Sequence, residues 1–302
     1  MTEQLEFSSS GEIIGLEEKV EKSIRTLKLA AKMSEEFYHA PLICTYSGGK
    51  DSDTILNLCL EAGIDFEAMY SVTTVDAPET LQHVKKVFKS LNEKGIKTTM
   101  KVARDKDGKP VNMWSLIERK KMPPTRIVRY CCQVLKEQST PNRMVVTGVR
   151  AAESVNRRGR DAFQYKVKAA DKRKSWSLEH AEEVYEESHE YGEAWDCQMI
   201  TLMKKRKDMI VNAIYEWTEQ DVWNYIHSRN IEYNRLYDMG FKRVGCVGCP
   251  MASLKEKEKE FSLYPHIKEN YIKAFDKMMK TMDNDTWKSG EDVFDWWLQK
   301  KR

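Results

Sequence analysis

The residues from Ser47 to Ser52 have the side chains and the glycine pattern of a phosphate-binding loop. They read Ser-Gly-Gly-Lys-Asp-Ser, between an apolar segment typical of a buried strand and a segment with helical spacing. A tight turn at Gly48 and Gly49 would direct backbone N–H groups and a helix N-terminus at an anion. The two serines would add hydroxyl donors, and Lys50 would add a cation. An ordinary glycine turn is the alternative, but six matching residues between a strand and a helix favour phosphate binding.

Four of the seven cysteines form two pairs with ligand spacing, namely Cys131-Cys132 and the C-x-x-C pair Cys246 and Cys249. The pairs are far apart in the chain, so only folding could bring them together. Four thiolates can hold a [4Fe–4S] cluster or a structural Zn²⁺. An adjacent pair suits the zinc tetrahedron poorly, so the pattern favours the cluster, with zinc and unligated thiols as alternatives. The remaining cysteines are predicted to be structural: Cys44, Cys59 and Cys197.

Basic residues flank both cysteine pairs. Arg126 and Arg129 precede the first pair, Lys136 follows it, and Lys242 and Arg243 precede the second. A cluster with four thiolates is net negative, so cations nearby would stabilise it and could also bind nucleotide phosphates or sulfate. Ordinary surface cations are the alternative.

Predicted strands and helices alternate along the first half of the chain. The predicted strands are 41–46, 66–72, 98–102 and 144–149, and the predicted helices are 15–37, 54–60 and 79–91. Strands joined through helices form a parallel sheet. We therefore expect a doubly wound α/β fold, with a mostly parallel sheet covered by helices on both faces. Three further helices, at 254–261, 266–282 and 291–299, predict a C-terminal extension whose apolar stripes indicate core packing rather than cofactor binding.

The pattern predicts three segments: an N-terminal helical segment (1–40), a nucleotide-binding domain (41–250) and a helical C-terminal extension (251–302). Residues 157–195 form a charged insertion in the domain. Residues 157–176 carry eight basic side chains and two acids, and residues 179–193 carry seven glutamates and no Lys or Arg. Such blocks are usually solvated surface, mobile segments or surface helices. The alternative is a basic arm that lies against a polyanion near the active site.

Composition excludes several classes of protein. The chain has 302 residues, a net charge of +3, 41% hydrophobic residues and only 14 Gly and 8 Pro, which excludes collagen-like and low-complexity proteins. No apolar run approaches the length of a membrane span, so no membrane partner is expected. The N-terminal residues lack a secretory pattern, and the odd number of cysteines suits reduced thiols. We therefore expect a cytoplasmic protein.

Taken in chain order, the motifs resemble those of one protein family. Residues 47–52 resemble the pyrophosphate-binding loop (PP-loop) of the adenine nucleotide alpha-hydrolase-like superfamily. Three further segments, 78–80, 147–157 and 217–226, resemble motifs of its phosphoadenosine phosphosulfate (PAPS) reductase branch, and residues 233–249 follow in family order. The resemblance spans about residues 40–250, and the two cysteine pairs are similar to the cluster ligands of the iron–sulfur members.

This resemblance implies an enzyme that uses an adenine nucleotide and a [4Fe–4S] cluster. Since Lys50, Asp51 and Ser52 are intact, the loop is similar to those of members that cleave ATP, among them the sulfur-insertion proteins of DNA phosphorothioation. An acceptor oxygen would attack the α-phosphorus, and sulfide would then displace AMP, with the cluster storing or positioning that sulfur. The implied catalytic residues are Lys50, Asp51 and Arg150. The implied nucleotide-binding residues are Ser47, Gly48, Gly49, Lys50, Asp51, Ser52 and Arg157. The implied cluster ligands are Cys131, Cys132, Cys246 and Cys249.

The resemblance further implies Mg²⁺ bound with help from Asp51 or Asp53. Its implied partners are nucleic acid, held in part by residues 157–176, and a cysteine desulfurase or thioredoxin-like protein. The chain departs from the reductases of the family, because no cysteine follows Cys249 and the C-terminal nucleophile is missing. Two alternatives stay open. One is a PAPS or adenylyl-sulfate reductase that uses a partner thiol, with PAPS replacing ATP as the ligand. The other is a non-catalytic nucleotide- and redox-sensing regulator.

Overall fold

The computed structural model describes residues 6–7, 13–137, 140–153, 157, 159–165, 174–190, 197–282 and 286–299. Its strands are β1 (Glu6–Phe7), β2 (Ile13–Ile14), β3 (Leu42–Tyr46), β4 (Phe66–Val72), β5 (Thr98–Val102), β6 (Met144–Val146), β7 (Phe163–Tyr165), β8 (Ser175–Trp176) and β9 (Met209–Val211). Its α-helices are α1 (Leu16–Met33), α2 (Lys50–Glu61), α3 (Pro78–Glu93), α4 (Met113–Lys120), α5 (Tyr130–Cys132), α6 (Leu178–Glu190), α7 (Gln198–Lys204), α8 (Glu219–Ser228), α9 (Leu254–Leu263), α10 (Pro265–Met279) and α11 (Gly290–Gln299).

Within these residues, the main sheet has seven strands in the order β5-β4-β3-β6-β9-β7-β8. β3 pairs in parallel with β4 and β6, and β6 pairs in parallel with β9. β7 runs antiparallel to both β9 and β8. Helices cover both faces of this sheet. The predicted doubly wound, mostly parallel α/β fold is therefore confirmed.

The apolar side chains of β3 explain its central position in the sheet. Leu42, Ile43, Cys44 and Tyr46 are all at most 3% exposed, as expected for a parallel strand buried on both faces. The predicted strand at 144–149 ends at Val146, because the chain then leaves the sheet and passes close to the start of α2. A Cβ on Gly148 would lie only 3.0 Å from the Cβ of Asp51.

The predicted helices are present, with small differences at their ends. The helix expected over 15–37 ends at Met33 and continues as a π-helical turn, Ser34–Tyr38. The three C-terminal helices form as α9, α10 and α11, and the Tyr271, Phe275 and Trp297 side chains are buried, which confirms core packing. No helix in the described part of the chain is long and apolar enough to cross a membrane.

The chain divides into two compact units. Unit 1 contains Met1–Tyr70, His83–Thr99 and Thr140–Met239, and unit 2 contains Ser71–Gln82, Met100–Ser139 and Gly240–Arg302. Unit 1 holds the loop of residues 47–52, and unit 2 holds both cysteine pairs. The predicted boundaries at residues 40 and 250 stay a prediction.

The charged insertion is partly ordered into regular elements. Its glutamate-rich part forms α6, which buries Leu178, Ala181 and Val184 at three-residue spacing and exposes its acidic face. Parts of the basic segment form the short antiparallel pair of β7 and β8. Arg158 and residues 166–173 lie outside the described residues, and together they carry five of the eight basic side chains predicted to contact nucleic acid.

Candidate nucleotide site and candidate cysteine site

The loop of residues 47–52 is shaped mainly by its own last serine. Gly48 has a φ of +72°, which favours glycine, and Gly49 is the N-cap of α2. The Ser52 hydroxyl oxygen accepts hydrogen bonds from the backbone N–H groups of Ser47 (3.2 Å) and Gly49 (3.1 Å). It donates its own hydrogen to the Gly49 carbonyl, 2.7 Å away. Ser52 thus fixes the turn at the helix N-terminus, where an anion would bind.

Lys50 holds its ammonium group beside the loop. Its side chain is 6% exposed, and Nζ lies 3.5 Å from Oδ2 of Asp51 and 3.8 Å from Oε1 of Glu219. The same ammonium lies 5.6 Å from the centre of the Tyr237 ring, and the Lys50 backbone N–H donates to the Tyr237 hydroxyl at 2.9 Å. These contacts keep a cation at the loop without a phosphate ligand.

Arg150 approaches Asp51 from the loop that follows β6. Its Nε donates to Oδ1 of Asp51 at 2.7 Å, and its side chain is 4% exposed. The Asp51 carboxylate therefore contacts two cations, Lys50 and Arg150, so the three predicted catalytic residues meet. Two cations thus lie at the loop, and they can turn to the phosphates of a nucleotide if Asp51 or Glu219 releases them.

Arg157 is held by the same loop. It forms an ion pair with Glu153, whose carboxylate also accepts the backbone N–H of Arg150 at 3.2 Å. Glu153 thereby links the two arginines that the resemblance assigns to phosphates. The role of Arg157 toward the nucleotide stays a prediction.

Asp53 is held in the core behind the loop. The residue is only 1% exposed, and its Oδ1 accepts the Tyr46 hydroxyl at 2.5 Å and contacts His83 Nε2 at 2.9 Å. Burial raises the pKa of Asp53, although the hydrogen bond from His83 opposes that rise. Of the two carboxylates predicted to help the metal, Asp53 is therefore a core residue, and Asp51 is the one that faces the loop.

Residues far along the chain complete the nucleotide site, and we did not single them out as site residues. Asn234 donates from Nδ2 to the Gly48 carbonyl at 3.0 Å and is fully buried. Tyr237 and Glu219 contact Lys50, as described above. The signal was available, because Asn234 and Tyr237 lie in one of the segments that carry the family resemblance.

The two cysteine pairs lie in unit 2. Cys131 and Cys132 belong to the short helix α5, where Cys131 is buried and Cys132 is partly exposed. Cys246 and Cys249 lie on one turn, in which the Cys249 N–H donates to the Cys246 carbonyl at 3.1 Å. The Cys246 thiol lies 3.4 Å from the hydroxyl oxygen of Thr73.

The thiols and one lysine are coupled electrostatically. A hydrogen bond between the two adjacent thiols raises the pKa of Cys131 and lowers the pKa of Cys132 to about 6, to which Lys136 also contributes. The charge of Cys246 adds to the rise at Cys131, so the two pairs are within electrostatic range of each other. Cys246 is also the main cause of the raised pKa of Lys136. The cation that follows the first pair therefore serves both pairs.

The donor set matches a thiolate-ligated cluster in its chemistry. Four thiols and the positive charge of Lys136 are what a net negative [4Fe–4S] cluster would need. Among the residues that the structure describes, no group of three or more His, Cys, Asp or Glu side chains is arranged to hold a metal ion. The structure thus contains no preformed single-ion site at the cysteines, and the cluster ligands stay a prediction.

The C-terminal helices support the C-x-x-C turn. Glu260 of α9 accepts the Gly248 N–H at 2.7 Å, and Tyr271 of α10 donates its hydroxyl hydrogen to the Val247 carbonyl at 3.1 Å. Gly248 has a φ of +71°, and a Cβ there would lie 2.6 Å from Phe261 Cζ. Nothing in the local sequence of the turn indicates these contacts, because they depend on tertiary packing.

Sequence comparison with known proteins agrees with the motifs. The chain is 27% identical over 263 residues to an uncharacterised protein of Methanocaldococcus jannaschii, covering 84% of this chain and 52% of that protein. It therefore spans about half the length of this curated relative. It is 24% identical over 226 residues to the adenosine 5'-phosphosulfate reductase of Anoxybacillus flavithermus, covering 74% of this chain and 78% of that enzyme.

A similar solved structure is the PAPS reductase of Candida auris in its phosphate complex. The TM-score is 0.43 at 13% sequence identity, with 80% of this chain and 97% of that chain covered. The phosphoadenosine phosphosulfate reductase domain matches residues 41–252, which span both sites described above. This chain belongs to the phosphoadenosine phosphosulfate reductase domain family.

Proposed function

We propose that this protein is an ATP pyrophosphatase that adenylates an oxygen of a nucleic acid, so that sulfur can replace that oxygen. One observation carries the proposal: Lys50 and Arg150 converge on Asp51 at an intact, serine-closed phosphate loop. Such a site supplies positive charge at the place where a pyrophosphate leaving group would develop negative charge. A sulfonucleotide has no pyrophosphate to release.

The reaction has two substitutions. First, an acceptor oxygen attacks the α-phosphorus of ATP; the new O–P bond forms as the bond to the β-phosphate oxygen breaks, and pyrophosphate leaves. Second, hydrosulfide attacks the activated atom of the acceptor; the new bond to sulfur forms, and AMP leaves with the original oxygen. No electron donor is needed, because neither substitution changes an oxidation state.

The chain contributes mainly alignment and charge stabilisation to the first step. The backbone at the start of α2 and the Lys50 ammonium would hold the β- and γ-phosphates. Asp51 would hold Mg²⁺ once the nucleotide draws Lys50 and Arg150 toward its phosphates. Glu153 would keep Arg150 and Arg157 together during this change.

The cysteine site supports the second step of the proposal. Cys131, Cys132, Cys246 and Cys249 would hold the [4Fe–4S] cluster, with the Lys136 charge beside it. Four thiolates would occupy one position on each of the four irons, so a bound cluster would supply iron to inorganic sulfide only where one thiolate is displaced. The contribution of the chain is to keep the four thiols in one unit and to balance their negative charge.

A sulfonucleotide reductase is the second candidate function. The match to a reductase relative over 74% of this chain favours it. That reaction breaks the S–O bond of a sulfonucleotide by attack of a thiolate, and it requires a reductant to release sulfite. The two functions therefore differ in nucleotide, in products and in their need for electrons.

The test is product analysis with anaerobically purified protein, ATP labelled at the α-phosphate, Mg²⁺, sulfide and a mixture of RNA and DNA. We expect AMP and pyrophosphate in equal amounts, and loss of both products in Lys50→Met. The matched control is Lys86→Met, which changes a lysine that is 68% exposed in the same unit. Sulfite release from adenylyl sulfate or PAPS without ATP cleavage would contradict the proposal. Nucleotide binding without any cleavage would indicate a regulator instead.

A further inference from the structure

The segment that leads into the first cysteine pair is strongly cationic. Residues 119–136 contain six Lys or Arg side chains and no Asp or Glu. Three of these cations, Arg119, Lys120 and Lys121, end helix α4 and are exposed to solvent. Two more, Arg126 and Arg129, are also exposed and immediately precede Cys131. A run of this kind provides a local positive field although the whole chain is almost neutral.

The part of this run next to the cysteines is a rigid loop tip, residues 126–129. The tip is closed by two hydrogen bonds, one from the Thr125 N–H to the Val128 carbonyl (3.1 Å) and one from the Val128 N–H to the Thr125 hydroxyl oxygen (3.0 Å). Arg126 donates from Nε to the Pro250 carbonyl at 3.2 Å. The tip is therefore tied to the turn that carries Cys249.

The base of the tip is anchored as well. Trp297 donates from Nε1 to the Pro124 carbonyl at 2.7 Å, and the Tyr130 hydroxyl donates to the Met122 carbonyl at 2.7 Å. A loop held at both ends loses little conformational entropy when it binds a ligand. Its backbone is thus held in place, and the exposed side chains project from it.

The tip exposes apolar side chains between its arginines. Ile127 is 93% exposed and Val128 is 41% exposed, and Met251, on the turn that Arg126 contacts, is 39% exposed. Nucleic-acid-binding proteins insert isoleucine and methionine side chains between bases and place Arg and Lys on the flanking phosphates. The tip has both features within four residues.

We propose that residues 119–129 bind the nucleic-acid acceptor, with Ile127 against the bases and the cations on the phosphates. This inference rests on the proposed function, since it names the surface that brings the acceptor to the cysteine site. An acidic protein is a weaker fit, because protein interfaces are depleted in lysine and combine both signs of charge. The sequence alone assigned this role to another segment of the chain, residues 157–176.

The test measures binding of a fluorescent single-stranded RNA and a DNA strand of about 20 nucleotides, at several salt concentrations. Two variants probe the surface, Lys120→Gln and Ile127→Asp, and both positions are exposed enough for the fold to tolerate the change. The matched controls are Lys273→Gln and Leu263→Asp, at positions 68% and 42% exposed in the same unit. ATP binding is measured for every variant.

We expect each surface variant to weaken nucleic-acid binding about fivefold or more, with both controls unchanged. Lys120→Gln should also reduce the slope of log K against log salt by about 0.7, the value for one phosphate contact on a single strand. Equal binding by surface and control variants would overturn the inference, as would a wild-type protein that binds neither strand. A wild-type protein that binds nucleic acid through this surface but does not cleave ATP would contradict the proposed function and leave the present inference intact.

Discussion

The nucleotide loop and the C-x-x-C turn both contain a glycine with positive φ, yet they are held in place in different ways. Gly48 lies in a loop whose main hydrogen bonds come from a serine four residues later. Gly248 lies in a turn held by Glu260 and Tyr271, which belong to two separate helices. The turn of the first site is closed mainly by a local serine, with Asn234 and Tyr237 added from far along the chain, whereas the second turn depends on tertiary packing.

This difference determines how much of each site can be predicted from the amino-acid sequence. A loop held mainly by its own residues has a short motif, so its phosphate-binding chemistry can be predicted from six residues. For a turn held by remote helices, only the cysteines can be recognised in the sequence, and the groups that position them cannot. The difference also predicts that damage to the C-terminal helices will reach the cysteines and leave the nucleotide loop intact.

The largest effect is expected at the C-x-x-C turn. Gly248→Ala places a Cβ 2.6 Å from Phe261 Cζ in a left-handed backbone conformation. We expect the free energy of unfolding to fall by about 2–4 kcal/mol. The control is Gly245→Ala, where a Cβ would meet nothing within 4 Å. ATP affinity should stay unchanged in both variants. Equal stability of the two variants would show that the C-x-x-C turn does not depend on the packing of the C-terminal helices.

The next effect concerns the nucleotide loop. Lys50→Met keeps the length of the side chain and removes the cation beside Asp51, so pyrophosphate release should fall about a hundredfold. Thermal unfolding and the reaction rates of the cysteine thiols with a disulfide reagent should stay as in the wild type. A change of less than about threefold in pyrophosphate release would show that Lys50 does not act on the phosphates.

A smaller effect is expected where the loop after β6 meets α2. Gly148→Ala would place a Cβ 3.0–3.1 Å from atoms of Asp51, two of them backbone atoms that cannot move aside. We expect the free energy of unfolding to fall by about 1–3 kcal/mol and ATP binding to weaken with it. Gly159→Ala is the matched control in the same unit, because a Cβ there meets nothing within 4 Å.

The smallest effect is a change in pH dependence. Burial raises the pKa of Glu260 to about 7 from its ordinary value of 4.5, against the hydrogen bond from Gly248. Its contribution to stability is therefore complete below the ordinary value and is lost as the pH rises through about 7. Glu260→Gln should remove a fall of about 2 °C in Tm between about pH 4.5 and pH 7. Glu258→Gln, an exposed neighbour on α9, should leave that fall unchanged.

Much of the fold could be predicted from the sequence. β4 and β5 occupy the predicted residues, because each is an apolar or alternating run followed by a clear turn or helix signal. The strand at 144–149 was predicted too long, since periodicity does not show that Gly148 must approach Asp51. The π-helical turn at Ser34–Tyr38 was also missed, because its helical pattern matches that of α1.

The sequence places the residues of the candidate nucleotide site near one another, but it does not show the groups that hold the C-x-x-C turn. Lys50, Asp51 and Arg150 meet as expected, because parallel β3 and β6 bring the loops at their carboxyl ends together. The sequence does not show that Asp53 bonds through Oδ1 to Tyr46 and His83 in the core, and its part in binding Mg²⁺ stays a prediction. The roles of Glu260 and Tyr271 depend on contacts that no local pattern encodes.

The proposed function requires that the loop at Lys50 takes ATP as its substrate. The most direct test is competition binding on anaerobically purified protein, with ATP against PAPS and adenylyl sulfate. We expect ATP to bind at least tenfold more tightly, which is about 1.4 kcal/mol, and Lys50→Met to remove this preference. Tighter binding of either sulfonucleotide, unaffected by Lys50→Met, would contradict the proposed function.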